Sequence, residues 1–410
     1  MSATSSPVGP ILCVVGARPN YMKMAPLVRA FAERSDLPPA VLVHTGQHYD
    51  VAMNERLFAD LELPPPDVNL EVGSGSHAVQ TAEVMRRFEP LLERYRPSCV
   101  VVVGDVNSTL ACSLVASKLG TRIVHVEAGL RSFDRRMPEE INRILTDQLA
   151  DRLYTTERSA ADNLLREGIA PGRIVFVGNV MIDSLLRHRE RATPPAKVLA
   201  AEGIDPGCID GPAGYGVVTL HRPSNVDSEA ALREALAILG DIAQLVPLVW
   251  PVHPRTRANM DRFGLAPQLD GRAITLVPAQ GYLEMVGLMA GARLVVTDSG
   301  GIQEETTALA VPCLTMRENT ERPITVEQGT NTLVGRDAGL TMACVRTIVG
   351  TGGKRGRAPE FWDGRAATRL AADLAGWLAE PEPRGADAQI AAHGAAVVAG
   401  GQPAARSSGR

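Results

Sequence analysis

Short runs rich in Val, Ile and Leu, apolar at consecutive positions, recur along this sequence and alternate with longer amphipathic stretches. A strand that is apolar on both faces must be covered on both faces, which is the condition of a buried parallel sheet. In the first half the runs are Ile11–Ala17, Ala40–Gly46, Cys99–Asp105, Arg122–Glu127, Arg152–Thr156 and Arg173–Gly178. In the second half they are Gly216–His221, Pro247–His253, Ala273–Pro278, Arg293–Asp298 and Pro312–Met316. Between them, Tyr21–Arg34, Ala78–Arg94 and Ser228–Gln244 carry helical periodicity. Strands alternating with helices predict βαβ units and a doubly wound α/β fold.

Eleven or twelve strands exceed one comfortable sheet, so two Rossmann-like domains are expected. The pattern breaks near Arg187–Gly214, at Thr193-Pro194-Pro195 and a run rich in Gly and Pro. The expected division is a disordered N-terminus over 1–9, an N-terminal domain over 10–187 and a C-terminal domain over 188–363. A helix over 364–380 should pack back on the body. The segment 381–410, dominated by Ala, Gly, Pro and Ser, lacks a period and reads as disordered.

Net charge is −4 with no large block of one sign, which argues against a general grip on nucleic acid or acidic membrane. Aromatic residues, at 4%, are too scarce for stacking platforms. The six cysteines form no CxxC pair, so neither a disulfide framework nor a zinc site is expected and a reducing, cytoplasmic compartment fits. Neither a signal peptide nor an apolar stretch of membrane length is evident.

The polar residues are informative by position. First-half strands end in Gly16-Ala17-Arg18-Pro19, His44-Thr45-Gly46-Gln47-His48, Gly104-Asp105-Val106-Asn107 and His125-Val126-Glu127-Ala128-Gly129. Second-half strands end in Leu220-His221-Arg222, Val252-His253-Pro254-Arg255 and Thr297-Asp298-Ser299-Gly300-Gly301. Open α/β sheets bind ligands outside the carboxyl ends of their strands, so a ligand in a cleft between two facing sheets follows. Ser299-Gly300-Gly301 opens a helical stretch, where free backbone N–H groups suit an anion.

Several other motifs fail. No GxGxxG opens the first helix and no GxxxxGK[ST] occurs, so neither a bound dinucleotide nor ATP hydrolysis is indicated. TDSGG matches a trypsin-like string, but in a strand–turn–helix context. His125-Val126-Glu127 is half of a zinc deaminase signature whose PCxxC partner is missing. The eight histidines show no metal-ligand spacing, and no metal or cofactor is expected. Pro138-Glu139-Glu140 reads as a capped helix start, with Glu139 and Arg143 spaced i, i+4.

In order, the segments GARPNYMKMAPL (Gly16–Leu27), TGQHYD (Thr45–Asp50), GDVNSTLA (Gly104–Ala111), HVEAGLRS (His125–Ser132), PEEINR (Pro138–Arg143), LHRPSN (Leu220–Asn225), TDSGGIQEE (Thr297–Glu305) and RENTERPITVEQGTNTLVG (Arg317–Gly335) resemble the non-hydrolysing UDP-N-acetylglucosamine 2-epimerases. The likeness spans about Ile11 to Leu378. It implies two Rossmann-like domains facing a cleft in the GT-B arrangement, a homodimer, a UDP-sugar substrate and no redox cofactor. It also implies interconversion of UDP-GlcNAc and UDP-ManNAc, by elimination of UDP to a 2-acetamidoglucal and re-addition, for polysaccharide biosynthesis.

Position by position, the resemblance puts Asp105, Glu127, Glu139 and His221 at the family's catalytic positions. It puts Arg18, Lys23, Arg143, His253, Ser299, Gly300, Gly301, Glu305 and Arg322 at its substrate-binding positions. Glu305 would accept from the ribose hydroxyls. Arg18 and the Ser-Gly-Gly turn would hold phosphate. Two motifs depart from the family pattern. Arg18-Pro19-Asn20 stands where RPE is common, and His221-Arg222-Pro223-Ser224-Asn225 where HRREN is common. Epimerases of UDP-2,3-diacetamido-glucuronate share fold and chemistry. A retaining glycosyltransferase and a non-catalytic UDP-sugar sensor are the readings from other classes. Some bacterial members use a glutamine pair and an arginine to bind a second, activating UDP-GlcNAc. Here Gln47 is present, Asp50 replaces the second glutamine, and Asn69–Gln80 holds no arginine.

Overall fold

A computed structural model describes residues 9–46 and 51–380. The segments 1–8, 47–50 and 381–410, which include Gln47, Asp50, most of the expected N-terminal tail and all of the C-terminal one, lie outside the described residues. Two sheets account for every strand among the described residues. The first comprises β1 (Ile11–Val15), β2 (Ala40–His44), β3 (Val68–Asn69), β4 (Cys99–Val103), β5 (Ile123–Val126), β6 (Arg152–Thr155) and β7 (Ile174–Phe176), in the order β3-β2-β1-β4-β5-β6-β7. The second comprises β8 (Gly216–Thr219), β9 (Leu248–Val252), β10 (Ile274–Pro278), β11 (Leu294–Thr297), β12 (Cys313–Thr315) and β13 (Asn331–Leu333), in the order β10-β9-β8-β11-β12-β13. All pairings are parallel; Cys13 sits opposite both Leu42 and Val101, and Val296 opposite both Val218 and Leu314.

The expected runs coincide with strands because they are buried throughout. Every residue of β1, β4 and β9 is inaccessible or nearly so. Most strands end one or two residues before the run does, because the polar residues leave the ladder and turn into the loops. Two strands lay outside the eleven runs. Val68–Asn69 and Asn331–Leu333 are short edge strands whose sequences include polar residues, so no apolar run marks them.

Helices cover both faces. The helix expected over Tyr21–Arg34 starts earlier, at Arg18, and ends at Ala32. Pro19 lies in its first turn, where the missing N–H costs nothing. The helix Ala366–Ala379 returns to the first domain: Leu370 and Leu374 join the cluster of Tyr21, Met24 and Leu27. The carboxylate of Asp183, on the helix Val180–His188, accepts from the N–H groups of Ala366 and Ala367 at 3.2 and 2.7 Å. Arg152 pairs with Asp373 at 2.5 Å and the Tyr154 hydroxyl donates to it at 2.8 Å.

The chain therefore crosses between the domains twice. The outward crossing follows Ala192; Thr193 N–H donates to the carbonyl of Leu283 at 3.1 Å, on the helix Tyr282–Ala290 of the second domain. A Cβ at Gly287 would overlap the Thr193 carbonyl, so this contact needs glycine. The return crossing runs from Arg357, whose N–H donates to Gln328 at 2.8 Å, to Trp362, whose indole donates to the Thr156 carbonyl at 3.2 Å.

Candidate active site

Two first-domain strands deliver acids to the cleft. Beyond β4, Gly104 turns with φ +65°, and Asp105 follows. A Cβ there would lie 3.0 Å from Lys23 Nζ and 3.7 Å from Glu127 Oε1, so glycine keeps open the space those side chains occupy. Beyond β5, Glu127 itself adopts φ 71°, a left-handed conformation that costs a non-glycine residue about 1 kcal/mol or more. The strained turn is held because Glu127 N–H and Ala128 N–H both donate to the Tyr154 carbonyl, at 3.1 and 3.0 Å. Below it, the buried His125 ring lies 2.6 Å from Asp147 and 2.8 Å from the Gly104 carbonyl, tying the two loops together. Arg131 also reaches Asp147, at 2.7 Å. Burial opposes ionisation of Asp147, but His125 and Arg131 hold it below the usual carboxylate range. The residues of the deaminase half-signature thus serve a turn.

The helix Pro138–Leu149 carries two adjacent acids with different fates. Glu140 is buried and accepts from Ser132 N–H and hydroxyl, each at 3.0 Å, and from Phe133 N–H at 2.8 Å. Glu139 instead faces the second domain, where Arg222 reaches it at 2.9 Å. Arg143 bridges Asp105 and Glu140. Burial works against Asp105, but Arg143 and Lys23 bring its carboxyl below the usual range.

In the second domain the buried Asp298 organises the strand ends. It accepts from His221 N–H at 3.1 Å, from Arg222 N–H at 2.9 Å and from the Asn225 amide at 3.1 Å, and the His221 ring lies 3.2 Å from it. The His253 ring stacks obliquely at 5.4 Å from that of His221. Burial, His221 and Arg18 depress His253, so Arg18 of the first domain is felt across the cleft. The helix Gly300–Leu309 begins at Ser299, whose hydroxyl makes no capping bond. A Cβ at Gly300 would overlap Glu321 Oε1, and one at Gly301 would lie 3.3 Å from the Met181 methyl.

The domains meet through a run of alternating charges. Lys23 donates to Glu127 at 2.6 Å, and Arg322 reaches the same oxygen at 2.8 Å. On the same edge of the Arg322 guanidinium, Nε lies 2.9 Å from Glu304, which also accepts from the Asn179 amide at 2.8 Å. Burial opposes ionisation of Glu127, yet Arg322 and Lys23 hold it below the usual range. At Glu304 burial prevails over Arg322, and its carboxyl is pushed up to about 7.

Of the thirteen residues singled out in the sequence, Arg18, Asp105, Glu127, Glu139, His221, His253, Ser299, Gly300, Gly301 and Arg322 lie just beyond strand ends or at helix starts, while Lys23, Arg143 and Glu305 lie further along their helices. Glu305 is only 4% exposed and lies beside Tyr282, and burial with the adjacent Glu304 pushes it up to about 8. Contributors outside those thirteen include Arg222, Glu304, Glu140, Asn179 and Asp298. Asn20, which stands where an acid is common, is buried. Its oxygen accepts from Gly16 and Ala17 N–H at 3.1 and 3.0 Å while its amide donates to the Val103 carbonyl at 3.0 Å. A carboxylate could not make that last bond. Among the described residues, no three His, Cys, Asp or Glu side chains are grouped to hold a metal ion. No described helix is long and apolar enough to cross a membrane.

A family model described as UDP-N-acetylglucosamine 2-epimerase matches residues 30–375. A UDP-N-acetylglucosamine 2-epimerase of Methanocaldococcus jannaschii is 40% identical over 360 residues, 87% of this chain and 96% of that protein. A UDP-2,3-diacetamido-2,3-dideoxy-D-glucuronate 2-epimerase of Pseudomonas aeruginosa is 41% identical over 343 residues, 83% of this chain and 92% of its own length. Among solved structures, the M. jannaschii UDP-GlcNAc 2-epimerase in complex with UDP-GlcNAc and UDP superposes with a TM-score of 0.81 at 38% identity, covering 89% of this chain and 99% of that one.

Proposed function

The chain belongs to the UDP-N-acetylglucosamine 2-epimerase family of isomerases, and from that premise we propose that it interconverts UDP-GlcNAc and UDP-ManNAc by inverting C2 through anti elimination and re-addition of UDP. The C2 proton is not acidic while the C1–O bond is intact. As that bond weakens, C1 gains oxocarbenium character and the C2–H bond can yield its proton to a carboxylate. The C–H electron pair becomes the C1=C2 bond, and the C1–O pair leaves with UDP. Return of UDP to C1, with a proton delivered to the opposite face of C2, gives the epimer.

Such a reaction needs proton-transfer groups on both faces of C2 and charge stabilisation at the diphosphate. Asp105, Glu127, Glu139 and His221 are the candidates for the first task. The free N–H groups at Gly300 and Gly301, with Arg18 and Arg322, suit the second. The observation that supports the proposal is the pair of cross-domain contacts, Arg322 to Glu127 and Arg222 to Glu139, which set two of the candidate acids of the first domain against cations of the second.

The test is incubation with UDP-GlcNAc in D₂O, following C2 by NMR. Deuterium should enter at C2 of both epimers without an acceptor and without NAD. Sugar transfer to an acceptor with no exchange at C2 would favour the glycosyltransferase reading instead. The Pseudomonas relative supports a second reading, in which the sugar is the diacetamido uronate. Comparing kcat/KM for the two UDP-sugars decides between them. A cytoplasmic homodimer supplying polysaccharide synthesis completes the proposal.

A further inference from the structure

Arg322 is the pivot of the charge network: its Nη2 donates to Glu127, and its Nε lies 2.9 Å from Glu304 without making a hydrogen bond among the described residues. A third buried carboxylate, Glu157, stands beyond β6; its Oε1 accepts from the Ser159 hydroxyl at 2.5 Å and its Oε2 has no partner among the described residues. Arg322 is the cation that acts on Glu157, which Glu327 opposes, and Lys23 acts beside Arg322 on Glu304. Three carboxylates therefore share two cations in a site closed to water. Glu321 and Asp105, the next acids around Arg322, have Arg317 and Arg143 of their own. An uncompensated charge in such a place is relieved by a bound proton.

Resting on the reading of the cleft as a UDP-sugar site, we propose that Glu304 is a positioning residue that takes up a proton when the diphosphate draws Arg322 away, so that substrate binding and protonation are coupled. Glu304 never touches the substrate in this scheme. In the free enzyme it shares Arg322 with Glu127 and is steadied by the Asn179 amide. When Arg322 turns to the phosphates, Glu304 keeps only the amide and now faces Glu127, Glu157 and the incoming anion. The charged groups around it are Arg322 and Lys23 on one side and Glu127, Glu157 and the adjacent Glu305 on the other. Its carboxyl, and that of Glu157, are already raised to about 7 by burial, so a small further push suffices at neutral pH.

Calorimetric titration of the full chain with UDP-GlcNAc, whose diphosphate binds no proton between pH 6 and 8.5, tests this in Tris and in PIPES. The binding heats should differ between the two buffers at pH 7.5 by an amount reporting proton uptake. The Kd should rise with pH from 6.5 to 8.5, with a slope approaching about tenfold per unit. In Glu304→Gln the two heats should agree and the Kd should be flat, while Glu157→Gln should retain the uptake. Asn179→Ala, which removes the amide that favours the charged form, should shift the midpoint of the Kd profile to higher pH. Equal heats in both buffers for the wild type, or uptake that persists in Glu304→Gln, would overturn the assignment. No binding of UDP-GlcNAc at all would instead sink the proposed function, and this inference with it.

Discussion

Arg222 and Glu139 belong to different domains, yet their side chains lie 2.9 Å apart. Each is held by its own domain: Arg222 through the bond from its N–H to Asp298, and Glu139 through the first turn of the helix Pro138–Leu149. The pair places an acid of the proposed reaction under direct control of the opposite wall.

Replacing Arg222 by Met should therefore reduce kcat by on the order of tenfold, equivalent to about 1.4 kcal/mol in the barrier. Stability should change little, because partly exposed ion pairs contribute at most about 1 kcal/mol. Steady-state kinetics beside thermal unfolding check both halves. A large fall in Tm with unaltered kcat would make the pair a strut and nothing more.

The acids and the binding groups should separate in their effects. Asp105→Asn, Glu127→Gln and Glu139→Gln are each expected to lower turnover by about 10²–10⁴ while leaving UDP affinity unchanged or tighter. Gly301→Ala, whose methyl would press on Met181, and Arg322→Ala should instead weaken UDP binding. Parallel loss of rate and affinity in all five variants would refute this division of roles.

Stability should fall as pH rises through neutrality. Glu157 and Glu304 sit near 7 and Glu305 near 8, all raised by burial, against about 4.3 in an unfolded chain. Between these values the native state holds protons that the unfolded state has lost. The stabilisation is full below about pH 4 and is lost as pH climbs towards 8, at no more than about 1.4 kcal/mol per unit for each group. The Tm of the ligand-free protein should decline from pH 5.5 to 8.5, and Glu157→Gln should flatten the decline. A Tm independent of pH over that range would contradict the charge balance drawn for the cleft.

Rate curves in UDP-GlcNAc should be hyperbolic, and UDP-ManNAc should be turned over with no UDP-GlcNAc added. No arginine stands between Asn69 and Gln80 to hold a second diphosphate. Nearby, the Arg87 guanidinium is committed to the carbonyls of Leu70 and Glu71 at 2.7 and 2.8 Å. Sigmoidal kinetics would mean that other residues rebuild the site.

The long buried strands and the polar residues at their ends are legible in the sequence because burial on both faces leaves a continuous apolar run. The edge strands Val68–Asn69 and Asn331–Leu333 are not, since short strands with polar positions carry no such run. Within the site, neighbouring acids defeated a linear reading. Glu139 and Glu140 differ by about 100° around a helix, as do Glu304 and Glu305. Only the phase of each helix against the sheet decides which acid meets Arg222, Ser132, Arg322 or Tyr282. Asn20 illustrates a different limit: its amide is required by the Val103 carbonyl, a partner 83 residues away.

The double passage of the chain between the domains has a mechanical consequence. A body tethered at one point can swing in any direction, but one tethered at two turns about the line joining them. With Thr193 anchored on one crossing and Arg357 and Trp362 on the other, any opening of the cleft would be rotation about a single axle. Such a movement would bring Arg222 and Arg322 back to the same two carboxylates each time the jaws close, so that successive turnovers start from one geometry.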